Sequence, residues 1–273
     1  MRGIDVLRVV RAAVVAAGFI AALPSAALAT PVPGGLQQLP PPNDCVSSTA
    51  ASNCGSNVGG GLGQARSVAV TPSGASVYVA SPAGSLSTFT RNGQTGALSF
   101  STCVKDPGSS EICQTTATRP LSAPAWVVAT NAFVYVATGN SITDFSRDTA
   151  TGQLTDLGCI GQTSANPNGG SPCQVAPGLS GVSRLALSPD GNNLYAVSPS
   201  DKTVVVLNKA GNGTLSSGSC LRGTTSSEAT CAPTPGLNGA NSVDVAPDGN
   251  TVYVTATAGG SSNVSYITGY TRA

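Results

Sequence analysis

The sequence contains no histidine and very little charge. Of its 273 residues, 13 are Lys or Arg and 12 are Asp or Glu, so charged residues make up 9%, far below the quarter or so that is typical of soluble domains. The absence of histidine excludes Ser-His-Asp and Cys-His catalysis and every His-ligated metal site. A formal net charge of +1 gives no electrostatic surface for nucleic acid. The chain is nevertheless 40% hydrophobic, which argues against disorder.

The N-terminus has the basic, apolar and small-residue regions of a secretory signal peptide, in that order. Three arginines precede an apolar run over 12–23, and small residues occupy the −3 and −1 positions for a cut after Ala29. The apolar run is too short and too rich in alanine for a spanning helix, and an uncleaved anchor is the alternative. We therefore predict a signal peptide at 1–29, export from the cytoplasm, and no membrane span after cleavage. Because the signal contains three Arg and one Asp, the remaining chain has 10 basic and 11 acidic residues.

Four segments of the remaining chain repeat one pattern. They are 67–81, 126–138, 184–198 and 242–256, and their shared tyrosines, Tyr78, Tyr135, Tyr195 and Tyr253, are 57, 60 and 58 residues apart. Each segment predicts two short strands around a tight turn, such as Pro189-Asp190-Gly191, in which Pro fixes φ, Asp caps the turn and Gly accepts a positive φ. A third strand and a fourth that opens on Gly-x-Leu follow. Four short strands per repeat are typical of a β-propeller blade, so we predict an all-β propeller.

The expected domain at 30–273 contains about four blades. The blades are predicted at about 66–122, 123–181 and 182–239, with a last blade formed by 240–273 plus 30–45. Because Gly34-Gly35-Leu36 is similar to the Gly-x-Leu opening of a fourth strand, we expect the N-terminal strand to pair with the C-terminal blade and close the ring, which removes a free edge. Two alternatives stay open. The N-terminal segment could be a loose leader, or an open half-ring could pair with a second copy as a homodimer.

The eight cysteines fit the same repeat. They are Cys45 and Cys54, Cys103 and Cys113, Cys159 and Cys173, and Cys220 and Cys231. Each pair is expected after a fourth strand, in a loop rich in Ser, Gly and Pro. An even number of cysteines in an exported protein predicts disulfides, and the four equivalent pairs favour loops that are each closed on themselves. Zinc is a poor alternative because the spacings are not C-x₂-C and histidine is absent. We predict neither a metal nor a cofactor.

The repeats resemble the lactonase-like, YVTN-type β-propeller family. The resemblance rests on 188–198 (SPDGNNLYAVS), on 246–254 (APDGNTVYV) and on 147–154 (RDTATGQL). It covers almost all of the chain after the signal and implies the propeller fold. Members of that family include sugar-lactone hydrolases related to 6-phosphogluconolactonase, so the activity it implies is hydrolysis of a sugar lactone. No catalytic motif matches residue by residue, and no catalytic residue is carried over.

Candidate ligand-binding residues lie where the innermost strands are expected to begin, around the central channel. They are Arg66, Trp126, Arg184, Asn241 and Asp244. The arginines could hold a carboxylate or phosphate through paired hydrogen bonds, Trp126 could stack on a sugar ring, and Asp244 could act as a base or bind a cation. The competing interpretation is structural: arginine as a donor between blades, and tryptophan as packing.

The sequence therefore predicts an exported, disulfide-stapled propeller that binds a partner at or outside the cell surface. The absence of a catalytic constellation favours binding, and the expected partner is an extracellular protein, a glycan or a small molecule, not nucleic acid. The alternative is a lactonase-type hydrolase, in which an acid such as Asp244 activates water and an arginine stabilises the oxyanion. A purely structural role is the third hypothesis.

Overall fold

The computed structural model describes residues 35–41, 43, 45–49, 54, 56–257 and 264–272. The predicted signal peptide and the first five residues of the segment expected to close the ring, 30–34, lie outside the described residues. Residues 35–38 form no strand. The described part consists of strands and their connections, and it contains no helix of the length and hydropathy needed to cross a membrane.

The strands form one short pair and four larger sheets. The pair is β1 (Val46–Ser47) and β2 (Ser56–Asn57). Sheet I contains β3 (Ser67–Val70), β4 (Ser76–Ser81), β5 (Ser85–Arg91), β6 (Leu98–Lys105) and β7 (Thr115–Thr116). Sheet II contains β8 (Pro124–Ala129), β9 (Phe133–Thr138), β10 (Ser141–Arg147), β11 (Leu154–Gly161) and β12 (Gln174–Val175). Sheet III contains β13 (Arg184–Leu187), β14 (Asn193–Ser198), β15 (Thr203–Lys209), β16 (Leu215–Arg222) and β17 (Ala232–Pro233), and sheet IV contains β18 (Ala240–Val245), β19 (Thr251–Thr257) and β20 (Ser265–Thr271).

Each sheet is an antiparallel meander in chain order, as the repeat predicts. In sheets I, II and III a fifth strand of two residues follows the four predicted ones and pairs in parallel with the fourth strand. Such strands are too short to leave a pattern of alternating side chains. The sequence therefore predicts the meanders and misses their last strands.

Two kinds of turn connect the first two strands of a sheet. Between β13 and β14, the Ser188 hydroxyl donates to Asp190, whose carboxylate accepts the N–H of Asn192, while Gly191 has a φ of 71°. Sheet II lacks this signature and is two residues shorter. There Thr130 Oγ1 accepts the N–H of Phe133 at 2.8 Å, so a hydroxyl replaces the Asp-Gly turn.

Neighbouring sheets pack face to face through three apolar cores. Between sheets I and II the core includes Tyr78, Leu86, Leu121, Val134 and Phe145; between II and III, Tyr135, Ile142, Leu179, Leu194 and Leu207; between III and IV, Val197, Leu237, Val243, Val252 and Val254. Most of these side chains are completely buried, and each contributes about 1.5–3 kcal/mol relative to an exposed position.

The repeated tyrosines explain the repeated glycines. Tyr78 Oη donates to the carbonyl of Gly152 at 2.8 Å, and Tyr135 Oη donates to the carbonyl of Gly213 at 2.8 Å. Each glycine opens the Gly-x-Leu of the next sheet and has a positive φ, 77° and 90°, which favours glycine. A Cβ at Gly152 would lie 2.8 Å from Ser76 Oγ in the preceding sheet. The motif is therefore a contact between sheets.

All four predicted disulfides are present. Cys45–Cys54, Cys103–Cys113, Cys159–Cys173 and Cys220–Cys231 have Cα–Cα distances between 4.7 and 5.1 Å, within the usual range. The expectation that each pair follows the fourth strand needs one correction. In sheets I to III the first cysteine lies within that strand, so the disulfide ties the outer strand to its own loop.

The four sheets do not close into a ring within the described residues. The inner strands pack in the order β3, β8, β13, β18, and β18 shows no comparable packing on β3. In the described part β20 pairs only with β19, and β1 only with β2. Pro40 and Pro41 precede β1 and lack the N–H that a strand must donate. The expected closure by the N-terminal strand and the number of blades in the ring are therefore not confirmed.

Candidate binding cavity

The four inner strands line a cavity of about 520 Å³, a volume typical of small-molecule sites. Its walls are 68–70 of β3, 126–129 of β8, 185–187 of β13 and 242–244 of β18. The inner strands carry Val, Leu and Ala because each is the first strand of a sheet and packs against the inner strand of at least one neighbouring sheet. The side chains in its wall are mostly apolar, with Asp244 the one acidic and Ser242 the one hydroxyl side chain among them.

Trp126 and Arg184 form a pair at this cavity. The Arg184 guanidinium lies 4.4 Å from the centre of the Trp126 ring, a cation–π geometry, and both side chains are half-buried. Trp126 pairs with Ala137 and Arg184 with Val197, equivalent positions of neighbouring sheets, which is why the two side chains meet. One guanidinium nitrogen donates to the carbonyl of Ser183 at 2.9 Å.

The other three predicted residues have different surroundings. Asp244 lines the cavity and its carboxylate accepts the N–H of Val245 at 2.9 Å. The Asn241 amide is bonded to Thr255 at 2.7 Å and Thr257 at 3.3 Å, so it joins β18 to β19. The exposed guanidinium of Arg66 makes no hydrogen bond or ion pair within the described residues and does not line the cavity.

The structure thus brings Trp126 and Asp244 to one cavity and places Arg184 against Trp126. It does not bring Arg66 and Asn241 into the wall. The five residues are near one another in the repeat, but a shift of one position along an inner strand turns a side chain to the opposite face. Whether any of them binds a ligand stays a prediction.

A buried acid that the sequence does not single out as a site is Asp144. It is 2% exposed, and its Oδ1 has no hydrogen-bond partner among the described residues. Burial raises the pKa of Asp144 to about 7, although a backbone N–H from Leu215 opposes the shift, and burial also raises the pKa of Tyr135 beside it. A comparison of the repeats could have identified Asp144, because the other sheets carry uncharged residues, such as Thr88, at the equivalent position.

Comparisons with known proteins give structural neighbours only. Neither a family model nor a curated protein matches the chain. A 6-phosphogluconolactonase candidate from Bacteroides uniformis is 14% identical with a TM-score of 0.47, over 75% of this chain and 56% of the other. The β-propeller domain of Cps50 (Swd1) from Myceliophteria thermophila is 12% identical with a TM-score of 0.47, over 77% and 54%.

A third structure, a functionally unknown protein from Desulfotomaculum acetoxidans, is 16% identical with a TM-score of 0.38, over 64% of this chain and 48% of the other. The chain thus spans about half the length of the solved structures it matches.

Proposed function

We propose that the chain is an exported β-propeller protein, with sheets I to IV as blades, that binds a partner outside the cytoplasm through the cavity between its inner strands. The cavity, of about 520 Å³ and lined by all four inner strands, is the observation that carries the proposal. Four disulfides support an oxidising compartment. The near absence of charged side chains in the cavity wall favours binding over hydrolysis.

The chemistry of the rim favours an acidic sugar. The Arg184 guanidinium lies over the Trp126 ring, and its remaining N–H groups can form a paired hydrogen bond with a carboxylate. The apolar wall suits the C–H face of a sugar ring, and Asp244 can accept hydrogen bonds from hydroxyl groups. Asp244 would also repel a second carboxylate, which favours one negative charge per bound unit.

Calorimetric titration with glucuronate-containing oligosaccharides and with neutral oligosaccharides of the same length tests this function. The acidic ligand should bind more tightly, and Arg184→Gln should weaken it by about tenfold or more, since a hydrogen bond to a charged group is worth about 1.5–3 kcal/mol. Arg66→Gln is the matched control and should bind as the unmodified protein does. Equal binding of acidic and neutral ligands, or an equal loss in both variants, would contradict the proposal.

The lactonase alternative needs a base and an oxyanion partner on the same substrate atom. Asp244 is in the cavity wall and Arg184 stacks on Trp126 at 4.4 Å, which is the observation that keeps this alternative open. A panel of sugar lactones tests it, and turnover above the buffer rate that is lost in Asp244→Asn would favour the hydrolase.

A further inference from the structure

Each sheet has a leading face, which packs on the preceding sheet, and a trailing face, which packs on the next. The trailing face of sheet IV is bare within the described residues. Its repeated tyrosine, Tyr253, is 45% exposed and Ile267 is 73% exposed, whereas Tyr78 and Tyr135 are completely buried. Tyr253 therefore occupies the position that forms an interface in the other sheets, but its side chain is largely exposed.

The leading face of sheet I is bare along its inner half. Val68 is 63% exposed and Val70 is 52% exposed, whereas Val127, at the position equivalent to Val68, is 2% exposed. The outer half is covered, because Leu39 and Val46 lie over it around a cavity shared with Phe89 and Leu98. What is uncovered is the place where the first strands of another sheet would pack.

The three interfaces inside the chain share a cationic contact. The cation at the end of the third strand of one sheet reaches the residue two positions before the tyrosine of the preceding sheet. The three contacts are Arg147 Nη2 to Ser76 Oγ at 2.8 Å, Lys209 Nζ over the Phe133 ring at 5.1 Å, and Arg272 Nη2 to Asn193 Oδ1 at 3.0 Å. Arg272 also forms an ion pair with Asp190 in the turn of sheet III.

The sequence also carries the residues of this contact for a fourth interface, but the contact is not formed within the described residues. Arg91 is the cation of sheet I, and the equivalent partners on sheet IV are Thr251 and the turn carboxylate of Asp248. Arg91 Nη1 donates to the carbonyl of Gly74 in its own turn, as Arg272 Nη1 does to Gly249. Within the described residues Arg91 contacts no other sheet. The bare faces thus carry opposite charges, Arg91 on sheet I and Asp248 on sheet IV.

The two remaining contacts extend in the same way. Gly96 opens the first Gly-x-Leu with a φ of 79°, which is the conformation that presents a carbonyl to the tyrosine of a preceding sheet, and Tyr253 is that tyrosine. The N–H of Val127 donates to Ser67 Oγ across sheets I and II at 3.1 Å. The equivalent pair at the open interface is Val68 N–H and Ser242.

We propose that a second copy of this chain covers these faces, so that sheet IV of each copy packs on sheet I of the other around a twofold axis and eight sheets form a closed ring. A twofold arrangement satisfies both bare faces of both copies and leaves none open. The inference rests on the sheet contacts, and it shares residues with the proposed cavity, because Val68, Val70 and Asp244 lie both in the cavity wall and on the bare faces.

Charge reversal tests the contact between copies. The purified full chain should sediment at twice the mass of one chain, and Arg91→Asp or Asp248→Arg should each weaken the dimer by about tenfold or more, because each places like charges opposite one another at both interfaces. Mixing the two variants should restore the dimer, because each interface of the mixed dimer then pairs one Asp with one Arg. Asp148→Arg, at an exposed turn of sheet II, is the matched control and should stay dimeric.

Three results would overturn the proposal. The first is a monomer at all concentrations, which would favour closure within one chain or a different partner. The second is a dimer that neither charge reversal weakens. The third is a failure of the two single variants to restore the dimer when they are mixed. Circular dichroism of each variant separates loss of the dimer from loss of the fold. If the unmodified protein forms the dimer but does not bind the acidic sugar, the proposed ligand is contradicted and this inference stands.

Discussion

Replacing Asp144 with asparagine should change how the stability of the fold depends on pH. Asp144 is 2% exposed, and Gly158 on the neighbouring strand has no side chain, which leaves room for the carboxyl. Burial raises its pKa from 3.8 to about 7, with Arg119 lowering and Asp156 raising it by smaller amounts. The uncharged acid is therefore the form that the folded chain prefers.

The sign and size of the effect follow from this shift. Between about pH 4 and pH 7 the folded chain holds a proton on Asp144 that the unfolded chain has released, so the free energy of unfolding falls as the pH rises, by about 1.4 kcal/mol per pH unit. Over the whole interval from 3.8 to about 7 the loss reaches about 4 kcal/mol, an upper value for one fully buried carboxyl. Asparagine keeps the shape and an acceptor but carries no titrating proton.

Urea unfolding at several pH values between 4 and 8, with the disulfides intact, measures the difference. Asp144→Asn should gain stability over the unmodified chain progressively as the pH rises to 7 and by a constant amount above it. Asp148→Asn is the control, because hydrogen bonds from Thr151 and Ala150 lower the pKa of that exposed carboxyl. Its contribution is present above about pH 4 and lost only below, so its offset should be constant from pH 5 to 8. Parallel curves for Asp144→Asn and the unmodified chain between pH 4 and 7 would refute the reasoning.

Two further substitutions test contacts that recur in the repeat. Tyr135→Phe leaves the buried carbonyl of Gly213 without its donor and should lower the free energy of unfolding, measured in urea, by about 1–2 kcal/mol. Tyr266→Phe, at a side chain that is 40% exposed, is the control and should change the free energy of unfolding little. Equal effects of the two substitutions would contradict the contact. Replacing Cys159 and Cys173 together with alanine opens the longest disulfide loop, of separation 14, and should cost about 3 kcal/mol; an unchanged urea midpoint would contradict this.

The repeated features of the fold were predictable from the sequence because they are local. Alternating apolar residues around Pro189-Asp190-Gly191 define a hairpin within fifteen residues. The recurrence of one cysteine pair in each repeat indicates the disulfides. The two-residue strands such as Thr115–Thr116 were not predictable, since they exist only because the disulfide loop returns alongside β6. Their pairing is a consequence of the loop and not of local propensity.

The candidate site was predictable in part. Trp126 and Arg184 are 58 residues apart, one repeat, so the sequence places them at the same height on neighbouring inner strands. It treats them as two separate ligand contacts, whereas the ring and the guanidinium stack on each other. Asn241 lies one position from Ser242, and that single step turns its amide toward Thr255 and Thr257 on β19. Such changes of face depend on the register shift between Ala240 and Ser242, which composition and period do not encode.

The residues on the bare faces of sheets I and IV are not those of a face adapted to water. Terminal repeats that face water generally replace their contact residues with polar ones, because an exposed apolar face invites association. Sheet IV instead keeps Tyr253 at the position that elsewhere bonds to the next sheet, and sheet I keeps Arg91 and Gly96 at the positions that receive such contacts. Within the described part Arg91 bonds to its own turn, Gly96 faces Leu39 and Tyr253 is 45% exposed, so none of the three forms the contact between sheets that its position forms elsewhere. Their presence is accounted for if the fourth interface is formed between two copies by the same contacts that hold sheets I to IV together.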